Sequence, residues 1–334
     1  MLRARHLTLA ARFARHRLRP LHVFEIQAQL TNKCGRRCVY CRCPETGTDL
    51  LPTGEWLALI RRLPALGCLR VKFQGGEPTI HPDFRELSAA TQAAGMIAAV
   101  VTHGGAIAAA PDLLDHIDEL VVSLDSPERA ANDAQRGLGS HAGATAAIEE
   151  GVRRRLRTVV NMILTRGNLS HLEKMLEYCE ARGVLMNAQP AVFGRRYYDD
   201  AGRAVALSPE QIREAHRTLA RWRRAGRGVL FSARAYEKAL GWHDLEELAV
   251  CAAGGGRCPA GRDFAHVDPN GDISPCIQTA ADFRPLNLVR DGLEAALRHA
   301  RRHDCADCWP AYLTERRLLF SLHPGAVLEV LRRG

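Results

Sequence analysis

The sequence predicts an α/β fold built on a parallel sheet, and three observations carry that prediction. Short β-branched runs alternate six times with helical stretches between about residues 23 and 190. Glycine or proline punctuates most of the junctions, as in Gly75-Gly76-Glu77-Pro78, Gly104-Gly105 and Gly183. The strand-then-helix order repeats without a break. Serial units of this kind form a doubly wound sheet or one curled into a barrel, and in both forms ligands sit at the carboxyl ends of the strands.

The strand candidates are residues 23–30, 69–73, 97–102, 119–124, 158–164 and 184–189, separated by helical patterns over 53–63, 82–94, 111–117, 141–155 and 169–182. Ser208-Pro209-Glu210 then opens a helix running to about Gly226, with serine placed to cap and proline at the first helical position. Residues 251–308 are rich in Gly, Pro and Cys and poor in periodicity, the mark of a segment that relies on metal rather than on a large apolar core. Residues 312–331 read as an amphipathic helix interrupted near Pro324-Gly325. The expected division is a basic N-terminal helix (1–22), a barrel (23–207), a helical bridge (208–249), a cysteine-rich domain with a β-hairpin (250–312) and a C-terminal helix (313–334).

Composition narrows the function classes. No apolar run reaches the 18 or so residues of a membrane-spanning helix, and the short apolar stretch near the start is broken by Arg12, which is wrong for a secretory signal. A cytoplasmic location is therefore expected. Eleven cysteines then argue for metal ligands or catalytic groups rather than disulfides. The net charge of +9 is carried mainly by arginine, and residues 1–22 hold six arginines with no acidic residue. Such a helix either closes one end of the fold or makes peripheral contact with an anionic surface, a membrane included. Aromatics at 6% without basic–aromatic interleaving argue against nucleic acid.

Three cysteines follow the first strand directly, in Cys34-Gly35-Arg36-Arg37-Cys38-Val39-Tyr40-Cys41. Three thiolates are one short of the four that hold a cubane 4Fe–4S cluster, which leaves one iron open to an outside ligand. Zinc is the alternative, but its cysteine ligands come in C-x2-4-C pairs. Cys43 lies two residues beyond and reads as a neighbour, not a ligand.

The spacing Cys-x3-Cys-x2-Cys, with Tyr40 before the third cysteine, resembles the signature of the radical SAM superfamily. The resemblance implies a partial (β/α)6 barrel, and a cluster whose open iron chelates S-adenosylmethionine and cleaves it to a 5′-deoxyadenosyl radical. Gln74-Gly75-Gly76-Glu77-Pro78 resembles the family's GGEP motif, so Gly75 and Gly76 are expected against the methionine amino group, with Glu77 accepting from that ammonium. Ser123-Leu124-Asp125 resembles the family's Ser-Leu-Asp and would place Ser123 near the carboxylate or ribose. Arg136 is a candidate partner for that carboxylate and Asn161 for the ribose.

A second set, Cys258, Cys276, Cys305 and Cys308, has the spacing C-x17-C-x28-C-x2-C. Pro269-Asn270-Gly271 between two short β runs predicts a hairpin that brings Cys258 and Cys276 together. Four thiolates close a coordination sphere, for structural zinc or an iron–sulfur cluster. The segment resembles the twitch domain, the short form of the SPASM extension of radical SAM enzymes, which implies one auxiliary 4Fe–4S cluster. Cys251 reads as a buried thiol, and Tyr197, Tyr198, Asp199 and Asp200 as pocket-lining candidates.

The function expected first is oxidation or rearrangement of a small molecule or lipid, with flavodoxin or ferredoxin as electron donor. A peptide maturase stands second, because the 22 residues before the first strand cannot hold the winged-helix domain of roughly eighty residues that such enzymes often carry. A non-enzymatic metal-binding interaction protein stands last.

Overall fold

The computed structural model describes residues 4–47, 50–192, 200–247, 249–251, 258–278, 283–303 and 305–326. Tyr197, Tyr198 and Asp199, and the last turns of the expected C-terminal helix, lie outside the described residues.

All six predicted strands form: β1 (Glu25–Thr31), β2 (Arg70–Gly75), β3 (Ile97–Thr102), β4 (Glu119–Ser123), β5 (Arg157–Leu164) and β6 (Leu185–Pro190). They are parallel and neighbour one another in strict chain order. A doubly wound sheet reverses its order at a switch point, and this one does not, which decides between the two alternatives in favour of a curled, open barrel. The helices α2 (Thr53–Arg62), α3 (Phe84–Ala93), α4 (Gly105–Ala109), α5 (Arg129–Arg136), α6 (Ser140–Arg153) and α7 (Leu172–Glu180) fill the crossovers. Outward-facing Ile26, Ala28, Val71, Phe73 and Val100 pack with Trp56, Phe84, Leu87 and Ile148 in one apolar layer.

At the amino ends of the strands lies α1 (Ala4–Arg17). The Phe13 ring is 4.5 Å from that of Phe24. Arg12 donates to the Cys68 carbonyl at 2.9 Å, and Arg17 pairs with buried Asp263 at 2.9 Å. Two of the N-terminal arginines therefore bond inward, as a helix closing that end would require.

After the barrel come α8 (Asp200–Val205), α9 (Pro209–Arg224) and α10 (Ala233–Glu237). Ser208 and Gln211 close a reciprocal capping box on α9, as the Ser-Pro-Glu start predicts. The short ribbon of β7 (Ala249–Cys251) and β11 (Cys305–Cys308) sets the Cys251 backbone opposite that of Cys305. The predicted hairpin joins β8 (Phe264–Val267) to β9 (Asp272–Ser274), with β10 (Leu286–Asn287) beyond. Its attachment is a finding the sequence does not carry. β8 pairs in parallel with β1, from Glu25↔Phe264 to Ala28↔Val267, so hairpin and barrel share one nine-stranded sheet. The helices α11 (Leu293–Ala300) and α12 (Ala311–Phe320) complete the described chain.

Candidate active site

Alternate side chains of the six strands face a cavity of about 760 Å³. Its carboxyl end is lined by Cys34, Cys38, Cys41, Gly75 and Gly76, and its amino end by Glu25, Arg70, Glu119 and Arg157. The three cysteines are half-buried. Burial pushes the Cys34 thiol up, and takes Cys41 to about 11. Ligation of a cationic centre removes those protons and satisfies the thiolates, so metal binding and the order of this loop are coupled. Among the described residues no three His, Cys, Asp or Glu side chains converge on one metal ion. All three thiols line the cavity, and three thiolates suit a cubane cluster that would keep one iron free for an outside ligand. Buried Cys43 turns its thiol to Asn32 and starts a short 3-10 turn, while its N–H donates to the Cys41 sulfur at 3.5 Å.

The loop is fastened on two sides. On the first, the Gly76 N–H donates to the Thr31 carbonyl at 2.7 Å and the Glu77 N–H to that of Lys33 at 2.8 Å. A Cβ on Gly76 would stand 2.2 Å from the Lys33 oxygen, and one on Gly75, at φ +147°, would stand 2.3 Å from the Thr31 oxygen. The glycines are thus required by the close approach of β2 to the chain entering the cysteine loop.

The Glu77 carboxylate departs from expectation. It is fully buried and is not among the groups lining the cavity. One oxygen accepts from the Thr79 hydroxyl at 2.6 Å and the Thr102 hydroxyl at 2.8 Å, and the other from the His103 N–H at 2.8 Å. It caps the turn after β2 and ties it to the end of β3, instead of facing a ligand ammonium.

On the second side, α5 clamps the loop. Val39 N–H donates to the Gln135 carbonyl at 2.9 Å, and Arg36 reaches the Leu138 and Gly139 carbonyls. The Tyr40 hydroxyl donates to buried Asp125 at 2.7 Å, and Arg136 donates to both that hydroxyl and, at 3.1 Å, the same carboxylate oxygen. Arg136 lines the cavity, its Nη1 is committed to Tyr40 and Asp125, and its buried Nε has no acceptor. Tyr40 and Arg136 therefore brace the loop while both line the cavity.

Ser123 and Asn161, paired across β4 and β5, both line the cavity. The Asn161 amide oxygen accepts from Asn187 at 2.6 Å on β6.

The second cysteine set gathers behind one wall. Cys276 and Cys308 are buried with Ala260, Phe264 and Leu313, against half-buried Cys258. The Cys258 N–H donates to the Cys305 carbonyl at 3.0 Å. A thiol hydrogen bond from Cys305 lowers the Cys258 pKa and raises that of Cys305, and burial raises that of Cys308. Their chain neighbours Ile277, Gln278 and Trp309 line the cavity while the four cysteines do not. An all-thiol set shut from the cavity suits a closed cluster with no position for substrate.

Sequence reasoning missed the amino-end floor. Glu25 pairs with Arg70 at 2.6 Å and with Arg316 of α12 at 2.8 Å, and Glu119 with Arg70 at 2.8 Å and Arg157 at 2.9 Å. Lys72 stands one cavity-facing position above Arg70. The signal was present: charged or amide residues recur at every second position of β1 (Glu25, Gln27, Gln29) and β2 (Arg70, Lys72, Gln74), and Glu119 and Arg157 open the apolar runs of β4 and β5.

Residues 29–179 match the family model described as Radical SAM superfamily. The PqqA peptide cyclase of Methylorubrum populi is 28% identical over 311 residues, covering 86% of this chain and 73% of that protein. The mycofactocin maturase MftC of Mycobacterium ulcerans is 27% identical over 282 residues, covering 79% and 71%. The PqqA peptide cyclase of Methylorubrum extorquens (strain PA1) is 28% identical over 268 residues, covering 75% of this chain and 64% of that protein, so the chain spans about two thirds of some relatives it matches. In fold, the chain resembles Streptococcus suis SuiB bound to S-adenosylmethionine, with a TM-score of 0.66 at 16% identity over 86% of this chain and 68% of that one. Among the described residues no helix is long and apolar enough to cross a membrane.

Proposed function

We propose that this chain, whose residues 29–179 match the Radical SAM superfamily model, is an enzyme of that superfamily that matures a ribosomally made peptide. The observation that carries this reading is similarity, across 86% of the chain, to an enzyme named for a peptide substrate. That likeness favours the reading that stood second on sequence alone, ahead of a small molecule or lipid.

In this reading Cys34, Cys38 and Cys41 hold the 4Fe–4S cluster that binds S-adenosylmethionine, and Cys258, Cys276, Cys305 and Cys308 hold an auxiliary cluster. Such a cluster would supply one-electron reductive cleavage of S-adenosylmethionine, the chemistry from which hydrogen abstraction from the substrate would start. The protein orients and shields the reactants. The Gln74–Gly76 backbone, the Ser123 hydroxyl and the Asn161 amide face the cavity at the carboxyl end and supply polar contacts there. Tyr40, Asp125 and Arg136 keep the cysteine loop in place. Apolar Val121, Val159 and Ile163 line the middle of the cavity and limit water around a reactive radical.

The test is anaerobic incubation of the reconstituted enzyme with S-adenosylmethionine, a reductant such as reduced flavodoxin or ferredoxin, and the peptide encoded beside its gene. A peptide lighter by two hydrogens, with 5′-deoxyadenosine released in step, supports the reading. An unaltered peptide beside an oxidised small molecule or lipid overturns it.

A further inference from the structure

We propose that the amino-end floor of the cavity is a carboxylate-binding subsite, in which Lys72, flanked by Arg70 and Arg316, receives an acidic group of the substrate. The proposal deepens the peptide reading and rests on it only for what carries the carboxylate.

The floor holds an excess of cations. Glu25 from β1 and Glu119 from β4 face three guanidiniums: Arg70 from β2, Arg157 from β5 and Arg316 from α12. Lys72 adds a fourth cation. It has no hydrogen bond or ion pair among the described residues, whereas Lys174 pairs with Glu128 and Lys238 with Asp307. A third acid on this wall, Glu315 of α12, accepts from the Ser232 hydroxyl at 2.5 Å and from its N–H at 3.2 Å. Tyr312 lines the same wall, with its hydroxyl accepting from Gln278 at 2.6 Å. The Nε atoms of Arg70 and Arg316 are also buried without acceptors.

Buried cations without counter-ions are unfavourable, and three carboxylates, Glu25, Glu119 and Glu315, stand against four cations, of which Lys72 is the one with no hydrogen bond or ion pair among the described residues. Burial, then Arg316 and Arg70, push the Lys72 pKa down to about 7, although Glu25 and Glu119 oppose them. A carboxylate entering from the cavity supplies the missing charge and accepts from the ammonium, a charge-assisted bond. It also fixes how deep the substrate sits, and so which of its atoms lie near the cysteine loop. The nearest alternative, Lys72 as a neutral base without a bound anion, predicts a different titration.

The chain has only four lysines, at positions 33, 72, 174 and 238, so reductive 13C-methylation of the holoenzyme gives few signals, and Lys72→Arg identifies one of them. Three probes divide the cases: N-acetylglutamate α-amide carries a side-chain carboxylate, N-acetylglutamine a terminal one, and N-acetylglutamine amide none. The Lys72 signal should titrate near 7 alone and move up by about one pH unit or more with one of the acids, which corresponds to about tenfold preference of the anion for the charged amine. The neutral amide should leave it in place. Whichever acid acts tells whether a side chain or a chain terminus occupies the floor. In unmethylated protein, calorimetry should show the active acid binding Lys72→Met at least about tenfold more weakly, with circular dichroism unchanged. The proposal is overturned if neither acid moves the signal, or if the neutral amide moves it equally. A moving signal without peptide modification leaves the subsite standing and removes the peptide reading; a modified peptide with a static signal does the reverse.

Discussion

Arg136 donates to the phenol oxygen of Tyr40 beneath the cysteine loop, and both groups converge on the same oxygen of Asp125. The last turn of α5 is thereby locked to the residue before Cys41. Arg136→Met leaves Asp125 buried without its cation and should destabilise the protein by about 3–5 kcal/mol. Pairing it with Asp125→Asn should recover part of that loss. Thermal unfolding and iron content of the four proteins of this cycle check the coupling; additive losses would break the link.

Glu77 gives the second prediction. Its carboxylate accepts from Thr79, Thr102 and His103 within the fold. Glu77→Ala should lower stability by at least about 2 kcal/mol, since buried donors lose their acceptor. Thr102→Val should reproduce part of the effect. A Glu77→Ala protein that melts like wild type yet binds S-adenosylmethionine weakly would return the carboxylate to the ligand.

Gly76→Ala places a methyl 2.2 Å from the Lys33 carbonyl oxygen, and the backbone there cannot yield without moving the chain toward Cys34. The variant should retain less iron at the first cluster, and thiol labelling of Cys34 in the apo-protein should quicken. Gly54→Ala is the control, because an added Cβ there meets nothing within 4 Å, inside α2. That change should be neutral or stabilising by up to about 1 kcal/mol.

Lys72 makes stability depend on pH. Its folded pKa, lowered by burial and by Arg316 and Arg70 to about 7, lies below the 10.5 of the unfolded chain. Between those values the unfolded state binds more protons, so this residue's contribution to stability rises with pH across that window; below about 7 the full penalty remains. Lys72→Met should raise Tm by a few degrees near pH 7 and flatten the rise. Melting curves from pH 6 to 10 in both proteins, without added carboxylates, check the sign.

The sequence made the six strands and the three-cysteine loop legible because apolar runs and ligand spacing are local patterns. The helix α5 has no such pattern. Its buried residues are Asn132, Gln135 and Arg136, so hydrophobic periodicity finds nothing in it, although it clamps the site. The role of Glu77 was hidden for a related reason: the motif is local, but the partners Thr102 and His103 come from the end of another strand. The joining of β8 to β1 spans more than two hundred residues of chain, and no turn or period announces it. The charged floor was the one distant feature with a visible trace, since Glu25, Arg70, Glu119 and Arg157 all open their strands.

The auxiliary cysteines allow structure and mechanism to be separated. Asp307 lies between Cys305 and Cys308, pairs with Lys238 at 2.5 Å and with Arg317, and accepts from the Cys308 N–H at 2.9 Å. Protein contacts therefore hold this turn in addition to any cluster. Changing Cys305 and Cys308 together to Ala should remove the second cluster and leave about four of eight irons. If that cluster accepts the electron left after hydrogen abstraction, product should vanish while 5′-deoxyadenosine is still released, because Cys34, Cys38 and Cys41 are untouched. If the cluster only staples the segment, melting temperature should fall first, since metal binding there is folding free energy. Circular dichroism on the same sample tells the cases apart, and a folded double variant that still makes full product would exclude the electron-acceptor role. The wall of Ile277, Gln278 and Trp309 between these cysteines and the cavity favours electron transfer over direct ligation of substrate, because the four thiols do not line the space the substrate would occupy.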